Sequence, residues 1–309
     1  MDMPIDEPLN LTTQSVLTFG SWGITLILLI VTIRMGIKER TPFYTLIVLA
    51  AGVAAFAEPL YDHIMMLYFY SEGGMWTHFT SFETPQPNWT HSGYITLYAV
   101  PAVHYTWRIR QGMLARQALY GIVAVEFLFS AIFEMYGING GAYEYYGPHV
   151  LRIFEYPLIC GLLECTQVAC FAVGAAYLRT RVKSNWGLLG LFALFPATFY
   201  LANAGAGGPV AIALHLDDPK TGITLAATIL SMVLAFALIR GASLFLPRIT
   251  GEDSAMDDPR DPLGAHAQPP LPEPSAPAPT APEREPAGVT AATADRVEAR
   301  PSVVDSRRT

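Results

Sequence analysis

Long apolar stretches alternate with short polar ones from residue 14 to residue 246. A helix that crosses a bilayer needs about 20 mostly apolar residues, and Pro101 interrupts the third stretch. The pattern predicts an all-α integral membrane protein in which seven transmembrane helices form a bundle. These predicted helices cover residues 14–36, 43–69, 91–107, 114–136, 150–178, 186–204 and 222–246.

Basic residues alternate from loop to loop between the two ends of the predicted bundle. Eleven Lys and Arg residues lie at one end, whereas only Arg152 and Lys220 lie at the other. Cytoplasmic loops are enriched in Lys and Arg. We therefore expect a multi-pass protein of the cytoplasmic (inner) membrane with its N-terminus outside and its C-terminus in the cytoplasm.

Composition divides the chain into three parts. Residues 1–13 form a short polar segment, predicted to be extracytoplasmic, and residues 14–249 form the membrane domain. Residues 250–309 carry eleven prolines, many alanines and eleven acidic residues. Such a segment buries too little apolar surface to offset its ordering entropy, which predicts a disordered Pro/Ala-rich cytoplasmic tail. No basic patch suggests nucleic-acid binding, so the expected partner is the lipid bilayer.

Carboxylates inside the apolar stretches carry the functional signal. A charged side chain at the bilayer centre is costly, by roughly 2.5–3.5 kcal/mol on insertion scales, and faces a bundle interior or a wet cavity. The sequence therefore predicts an acidic pocket in the outer half of the bundle. The acidic residues in or at the ends of these stretches are Glu58, Asp62, Glu126, Glu134, Glu155 and Glu164.

Glu58 and Asp62 are four residues apart in the second stretch, so they lie on one face of a helix. Pro59 loosens the helix between them by removing a backbone donor, and His63 follows directly. Two ionised acids at this spacing repel each other, so we expect one to keep its proton and to act as a proton donor. The alternative is a polar cluster that is hydrogen-bonded to neighbouring helices.

The fourth and fifth stretches add further acids. Glu126, Ser130 and Glu134 follow each other at four-residue spacing and lie on one helical stripe. Glu155 and Glu164 are nine residues apart and fall on opposite faces of the predicted fifth helix. Arg152 precedes Glu155 by one turn, which favours a structural ion pair for Glu155. Glu155, Glu126 and His63 are also predicted as substrate-binding residues.

The residues show no pattern of a cofactor or metal site. No histidine or cysteine spacing of zinc or di-iron type is present, so we predict neither a metal nor a cofactor. Residues 70–90 and 137–149 instead carry several aromatics, one histidine each and turn residues. These segments are either membrane-interface anchors or caps over a cavity that opens toward the outer leaflet.

Two functions fit these features. An apolar cavity with protonated acids suits cofactor-independent cyclisation or dehydration of a lipophilic small molecule, with cations stabilised by aromatic faces at Tyr61, Trp76, Tyr145 and Tyr146. Chains of intramembrane acids also mark proton-coupled transporters, although no inverted repeat is visible. A retinal-binding photoreceptor is disfavoured, because the seventh stretch contains no lysine.

Several local motifs resemble a known family. Glu58-Pro59-Leu60-Tyr61-Asp62, the Trp76–Phe82 loop and Pro87-Asn88-Trp89, together with Glu134, Tyr145-Tyr146-Gly147 and Pro157, resemble actinobacterial membrane proteins of the spirocyclase AveC type over about residues 50–170. The resemblance implies a multi-span protein without a cofactor, linked to spiroketal formation or dehydration in polyketide secondary metabolism. It makes Glu58, Asp62 and Glu134 the best acid–base candidates. Glu164 departs from the family, where an amide is more usual, but it is kept as a fourth catalytic candidate.

Overall fold

The computed structural model describes residues 3–246, so the predicted disordered tail lies outside the described residues. This part of the chain is mostly helical. The helices are α1 (Leu11–Glu39), α2 (Phe43–Ala54), α3 (Glu58–Met65), α4 (Thr90–Tyr94), α5 (Val100–Arg110), α6 (Arg116–Asn139), α7 (Leu158–Arg181), α8 (Leu191–Tyr200), α9 (Gly208–Leu214) and α10 (Thr221–Ser243).

Among residues 3–246, six helical segments are long and apolar enough to cross a membrane, which confirms a multi-pass membrane protein. Two of them join shorter elements, because α3 continues α2 and a 3₁₀ turn precedes α8. The six segments are Leu11–Glu39, Phe43–Met65, Arg116–Asn139, Leu158–Arg181, Asn185–Ala206 and Thr221–Ser243.

Two prolines explain where the helical path is irregular. A 3₁₀ turn, Ala55–Ala57, separates α2 from α3, and Pro59 lies in the first turn of α3 where its missing N–H is tolerated. The irregularity therefore lies before Glu58, whereas Glu58 and Asp62, between which the loosening was expected, lie in one continuous α-helix. Between α4 and α5 a π-helical turn, Ile95–Ala99, precedes Pro101. Pro101 cannot donate to the Leu97 carbonyl, and a π turn is a common way to absorb such a break.

α7 lies at the centre of the bundle. In its most apolar 18-residue stretch 78% of the residues are buried, compared with 28% in the corresponding stretch of α10. The helix packs against α5, α6, α8 and α10. Small residues permit the close approach: Gly161 faces Phe127 of α6, and Gly174 faces Leu194 of α8. The outer faces of α1, α6 and α10 carry exposed large apolar side chains such as Phe19, Phe129 and Phe236, as expected for surfaces that contact lipid.

Short strands cap one end of the bundle. β1 (Leu67–Phe69) pairs antiparallel with β4 (Tyr143–Tyr145). The segment before the third predicted stretch is thereby joined to the segment after the fourth. β2 (Thr77–Ser81) and β3 (Thr84–Pro87) form a hairpin. The aromatic segments predicted as anchors or caps therefore form a cap, which is defined here as β1 to β4.

Two predicted helices extend too far, into residues that form strands. The second helix was expected to reach residue 69, but α3 ends at Met65 and β1 follows. The fifth helix was expected from residue 150, but α7 begins at Leu158, and a small hairpin of β5 (Arg152–Ile153) and β6 (Tyr156–Pro157) precedes it. Pro157 keeps extended backbone and is the residue before the first helical turn. Glu155 therefore lies on the hairpin turn with φ 62° and not on the helix that carries Glu164.

Polar contacts join the chain at both ends of the bundle. At the capped end Thr13 Oγ1 donates to the Gly140 carbonyl at 2.7 Å. At the opposite end Arg110 forms an ion pair with Glu39. Arg116 Nε donates there to the Ser243 carbonyl at 2.9 Å. This end of the bundle therefore contains the C-terminal ends of α1, α5 and α10 and the start of α6.

Candidate active site

Three carboxyl groups line one enclosed cavity just below the cap. Glu58 comes from the start of α3, Glu134 from α6 and Glu164 from α7. The cavity volume is about 30 Å³, which is enough for about one water molecule. Its other walls are mainly aromatic and come from α3, β1, α4, the π turn and β4: Tyr61, Phe69, Trp89, Tyr94, Tyr98, Tyr143 and Tyr145.

Hydroxyl groups hold two of the three acids. Ser130 donates a hydrogen bond to Glu164 and so joins α6 to α7. Tyr145 of β4 donates to Glu134 Oε2 at 3.4 Å, and its oxygen lies 3.3 Å from the Tyr61 hydroxyl. The cap therefore supplies a direct contact to an acid, and a displacement of β4 changes the environment of Glu134.

Asp62 has a different environment from Glu58. It is fully buried and accepts a hydrogen bond from Gln86 Nε2 of β3 at 2.5 Å, while its Oδ1 has no hydrogen-bond partner among the described residues. Asp62 does not line the cavity. It attaches the β2–β3 hairpin to α3 and thereby positions the segment that carries Glu58.

Glu126 belongs to a second, larger space. Tyr105 of α5 donates a hydrogen bond to it, and both residues line a groove of about 950 Å³ between α1, α5, the π turn and α6. Ser130 lines this groove as well. The expected stripe of Glu126, Ser130 and Glu134 is therefore buried along its whole length, but it divides between the groove and the cavity.

The other candidates lie away from the cavity. His63 is exposed and stacks on Phe82. Trp76 is also exposed and packs against Phe19 of α1. The Tyr146 N–H donates to the Met66 carbonyl at 2.9 Å.

Glu155 pairs with Arg152 at 3.3 Å, with 73% of its side chain exposed. The predicted structural ion pair is confirmed. A substrate contact by Glu155 within this cavity has no support, because the residue does not line it.

Sequence reasoning missed most of the aromatic wall. Tyr94 and Tyr98 are four residues apart, which was a usable signal that both face one direction. Their rings are 5.0 Å apart, and both contact Phe199 of α8. Tyr143 and Gln86 gave no comparable signal. The position of Tyr143 depends on strand pairing between distant segments, and that of Gln86 depends on the packing of the β2–β3 hairpin against Asp62 of α3.

The acids lack cationic partners within residues 3–246. None of Glu58, Asp62, Glu126, Glu134 and Glu164 forms an ion pair with a described residue. The described part of the chain also contains no group of three or more His, Cys, Asp or Glu side chains able to hold a metal ion. An unpaired buried carboxylate is strongly disfavoured, so this cavity favours neutral carboxylic acids, and an ionised one among them depends on hydroxyl donors such as Tyr145.

His149 supports the cap from the side. It is 8% exposed, its Nε2 donates to the Met65 carbonyl at 2.7 Å, and its Nδ1 has no hydrogen-bond partner among the described residues. Burial lowers the pKa of His149 to about 4, and the nearby charges of Arg152 and His215 lower it further, against the raising effect of the Met65 carbonyl. The neutral imidazole is the form that the fold accommodates.

Stability should therefore depend on pH through His149. Its pKa is about 6.5 when unfolded and about 4 when folded, so the unfolded chain binds the proton more readily. The stability that depends on a neutral His149 is fully present above pH 6.5, and it is lost as the pH falls toward 4. We expect the melting temperature in detergent to decrease over this range, and to decrease less in His149→Gln, which retains a donor for the Met65 carbonyl. An equal decrease of the melting temperature with pH in both proteins would contradict the assignment of this pH dependence to His149.

Comparison with known proteins adds no family assignment. The sequence matches no protein-family model, no curated protein and no solved structure. The resemblance to the spirocyclase AveC type therefore stays a prediction, and the function has to be argued from the site.

Proposed function

We propose that this protein is a cofactor-independent membrane enzyme, a cyclase or dehydratase that acts on a lipophilic polyketide or isoprenoid. The observation that carries the proposal is the convergence of Glu58, Glu134 and Glu164 from three helices on one enclosed, aromatic cavity. Packing alone does not require three acids at one place, because apolar residues fill a bundle interior at lower cost. Intramembrane ionisable residues are functional by default.

The chemistry follows from neutral acids among aromatic rings. A carboxylic acid protonates a carbonyl, hydroxyl or alkene of the substrate, and the cation formed is attacked by an internal nucleophile or loses a proton. The ring faces of Tyr61, Tyr94 and Tyr98 stabilise that cation. A second carboxylate accepts the released proton, and transfer of this proton back to the donor restores the starting protonation state. Dehydration additionally releases one water molecule.

The three acids take distinct roles in this scheme. Glu58 is the proposed proton donor, and Glu134, whose ionised form is stabilised by the Tyr145 hydroxyl, is the proposed base. Glu164 shares the same cavity and is held by Ser130, which makes it the group that exchanges protons between the two. Asp62 is a positioning residue, because it contacts Gln86 and not the cavity.

We further propose that residues 90–110 form the seventh span, with the cap outside. α4, the π turn and α5 are consecutive and together reach about 30 Å, the thickness of the hydrocarbon core. The Arg110–Glu39 pair and the Arg116 contacts lie at the opposite end from the cap. Cytoplasmic enrichment of Lys and Arg then directs the cap outward.

Cysteine labelling tests this orientation. In a background with Cys160, Cys165 and Cys170 changed to alanine, Phe82→Cys in the cap should react with a membrane-impermeant maleimide in intact cells. Met113→Cys at the opposite end should react only after permeabilisation. Both native positions are exposed, at 55% and 45%. The reverse labelling pattern would overturn the orientation.

The enzymatic proposal is tested by mass spectrometry of lipid extracts from the native host. The strains are wild type, a deletion, and the deletion complemented with wild type or Glu134→Gln. We expect the deletion and the variant to accumulate a compound isobaric with, or one water heavier than, a lost product. If no compound changes chemically and only its distribution across the membrane shifts, the proton-coupled transporter is the correct alternative.

A further inference from the structure

The large groove lies on the lipid-facing surface of the bundle. Its walls are almost entirely apolar, and several wall residues are exposed, among them Val125, Phe129 and Ile132 of α6 and Ile24 of α1. Its volume of about 950 Å³ is at the upper end of the range for small-molecule sites. A molecule dissolved in the bilayer therefore reaches the groove without crossing water.

The buried floor of the groove is polar, whereas two other polar residues of the lining, His104 and Tyr136, are exposed. Glu126 and Ser130 are four residues apart on α6, are 9% and 6% exposed, and both line the groove. Ser21 of α1 and His104 of α5 add two more polar groups. The lining contains no Lys or Arg. Such a floor suits a neutral hydrogen-bonding head, because a phosphate or carboxylate would meet Glu126 without a compensating cation.

The groove and the acid cavity are neighbours. Leu97 lines both spaces, and Ser130 lines the groove while it donates to Glu164, which lines the cavity. Leu97 lies in the π turn, where the regular helical hydrogen bonding is already interrupted. The cavity is too small for any lipid, so a reacting group has to come from this side or through the cap.

We propose that the groove binds a single-chain neutral lipid with a hydroxyl or carbonyl head, which enters sideways from the bilayer. The chain lies along the apolar walls, and the head contacts Glu126 and Ser130. A movement of Leu97 then brings the head to Glu164. As an account of substrate access the inference rests on the proposed enzymatic function, whereas lipid binding in the groove is measurable without turnover.

Glycines in the groove wall allow a selective test. A Cβ at Gly20 of α1 or at Gly121 of α6 meets nothing within 4 Å, and both glycines line the groove. Leucine at either position projects into the groove. Gly23 is also on α1 and equally open, but it does not line the groove. Gly23→Leu is therefore a matched control, and all three changes favour the helix by propensity.

The probes are geranylgeraniol and geranylgeranyl diphosphate, which share one chain and differ in the head. Binding to the full chain in nanodiscs is measured by radioligand titration, and native mass spectrometry reports bound lipids and oligomeric state. We expect the alcohol to bind at least tenfold more tightly than the diphosphate. Gly20→Leu and Gly121→Leu should weaken alcohol binding at least tenfold, while Gly23→Leu leaves it unchanged.

Other results would overturn the inference. Equal or tighter binding of the diphosphate would refute a neutral head, and a retained phospholipid or a dimer lost in Gly121→Leu would identify a different occupant. Unchanged alcohol binding in both groove variants would refute the location. The enzymatic proposal fails separately, when the host strain with Glu134→Gln still forms the normal product.

Discussion

Glu164→Gln is expected to lower product formation by roughly 10²–10⁴-fold, the usual contribution of a general acid or base, while the protein still accumulates in the membrane. Glutamine has the size of glutamate and can still accept the hydrogen bond that Ser130 donates to Glu164. It cannot exchange a proton with Glu58 or Glu134 in the same cavity. The readout is the product-to-precursor ratio in lipid extracts of complemented deletion strains.

Glu155→Gln is the matched control for this change. It is the same substitution, but Glu155 is exposed on the β5–β6 turn and pairs only with Arg152 among the described residues. We expect wild-type product levels. If Glu164→Gln lowers the melting temperature and the amount of folded protein falls in parallel with the product, Glu164 is a packing residue. Normal product levels in Glu164→Gln would remove it from the mechanism.

Gly137→Ala is expected to reduce the free energy of unfolding by about 1–3 kcal/mol, the typical effect of overpacking, and to open the cap. A Cβ at Gly137 of α6 would overlap the Tyr143 ring and its hydroxyl. That ring is 2% exposed, lines the acid cavity and packs on Phe69 and Trp89 at 5.3 and 5.9 Å. The measurement is denaturation in detergent with the product ratio determined in parallel.

Gly121→Ala separates this clash from helix propensity. Gly121 lies on the same helix, and its Cβ would meet nothing within 4 Å, so we expect unchanged or slightly raised stability. In addition, Tyr143→Leu should lower the free energy of unfolding less in the Gly137→Ala background than in the wild type, because the smaller side chain relieves the overlap. Additive effects of the two substitutions, or a Gly137→Ala variant as stable as Gly121→Ala, would refute this packing of the cap.

Six of the seven predicted membrane helices are present among residues 3–246, because bilayer crossing requires a length and an average hydropathy that belong to contiguous residues. The same reasoning located the buried acids, since a carboxylate within an apolar run needs an interior position. Glu58, Glu134 and Glu164 line the cavity, and Glu126 is buried at the floor of the groove. Local composition was less informative for residues 150–157, where an apolar run continues through a hairpin that precedes α7.

The grouping of these acids depended on how the helices rotate and pack against each other. Hydropathy does not encode that rotation, because buried residues occur on every face of a central helix such as α7. Strand pairing across more than seventy residues brings Tyr145 and Tyr143 to the cavity, and the β2–β3 hairpin brings Gln86 to Asp62. Amino-acid composition and spacing therefore predicted a membrane bundle with intramembrane acids. Only long-range packing determines that Glu126 lines the groove whereas Glu134 lines the cavity, and that Asp62 lines neither. It also determines that the lipid-facing groove lies beside the acid cavity.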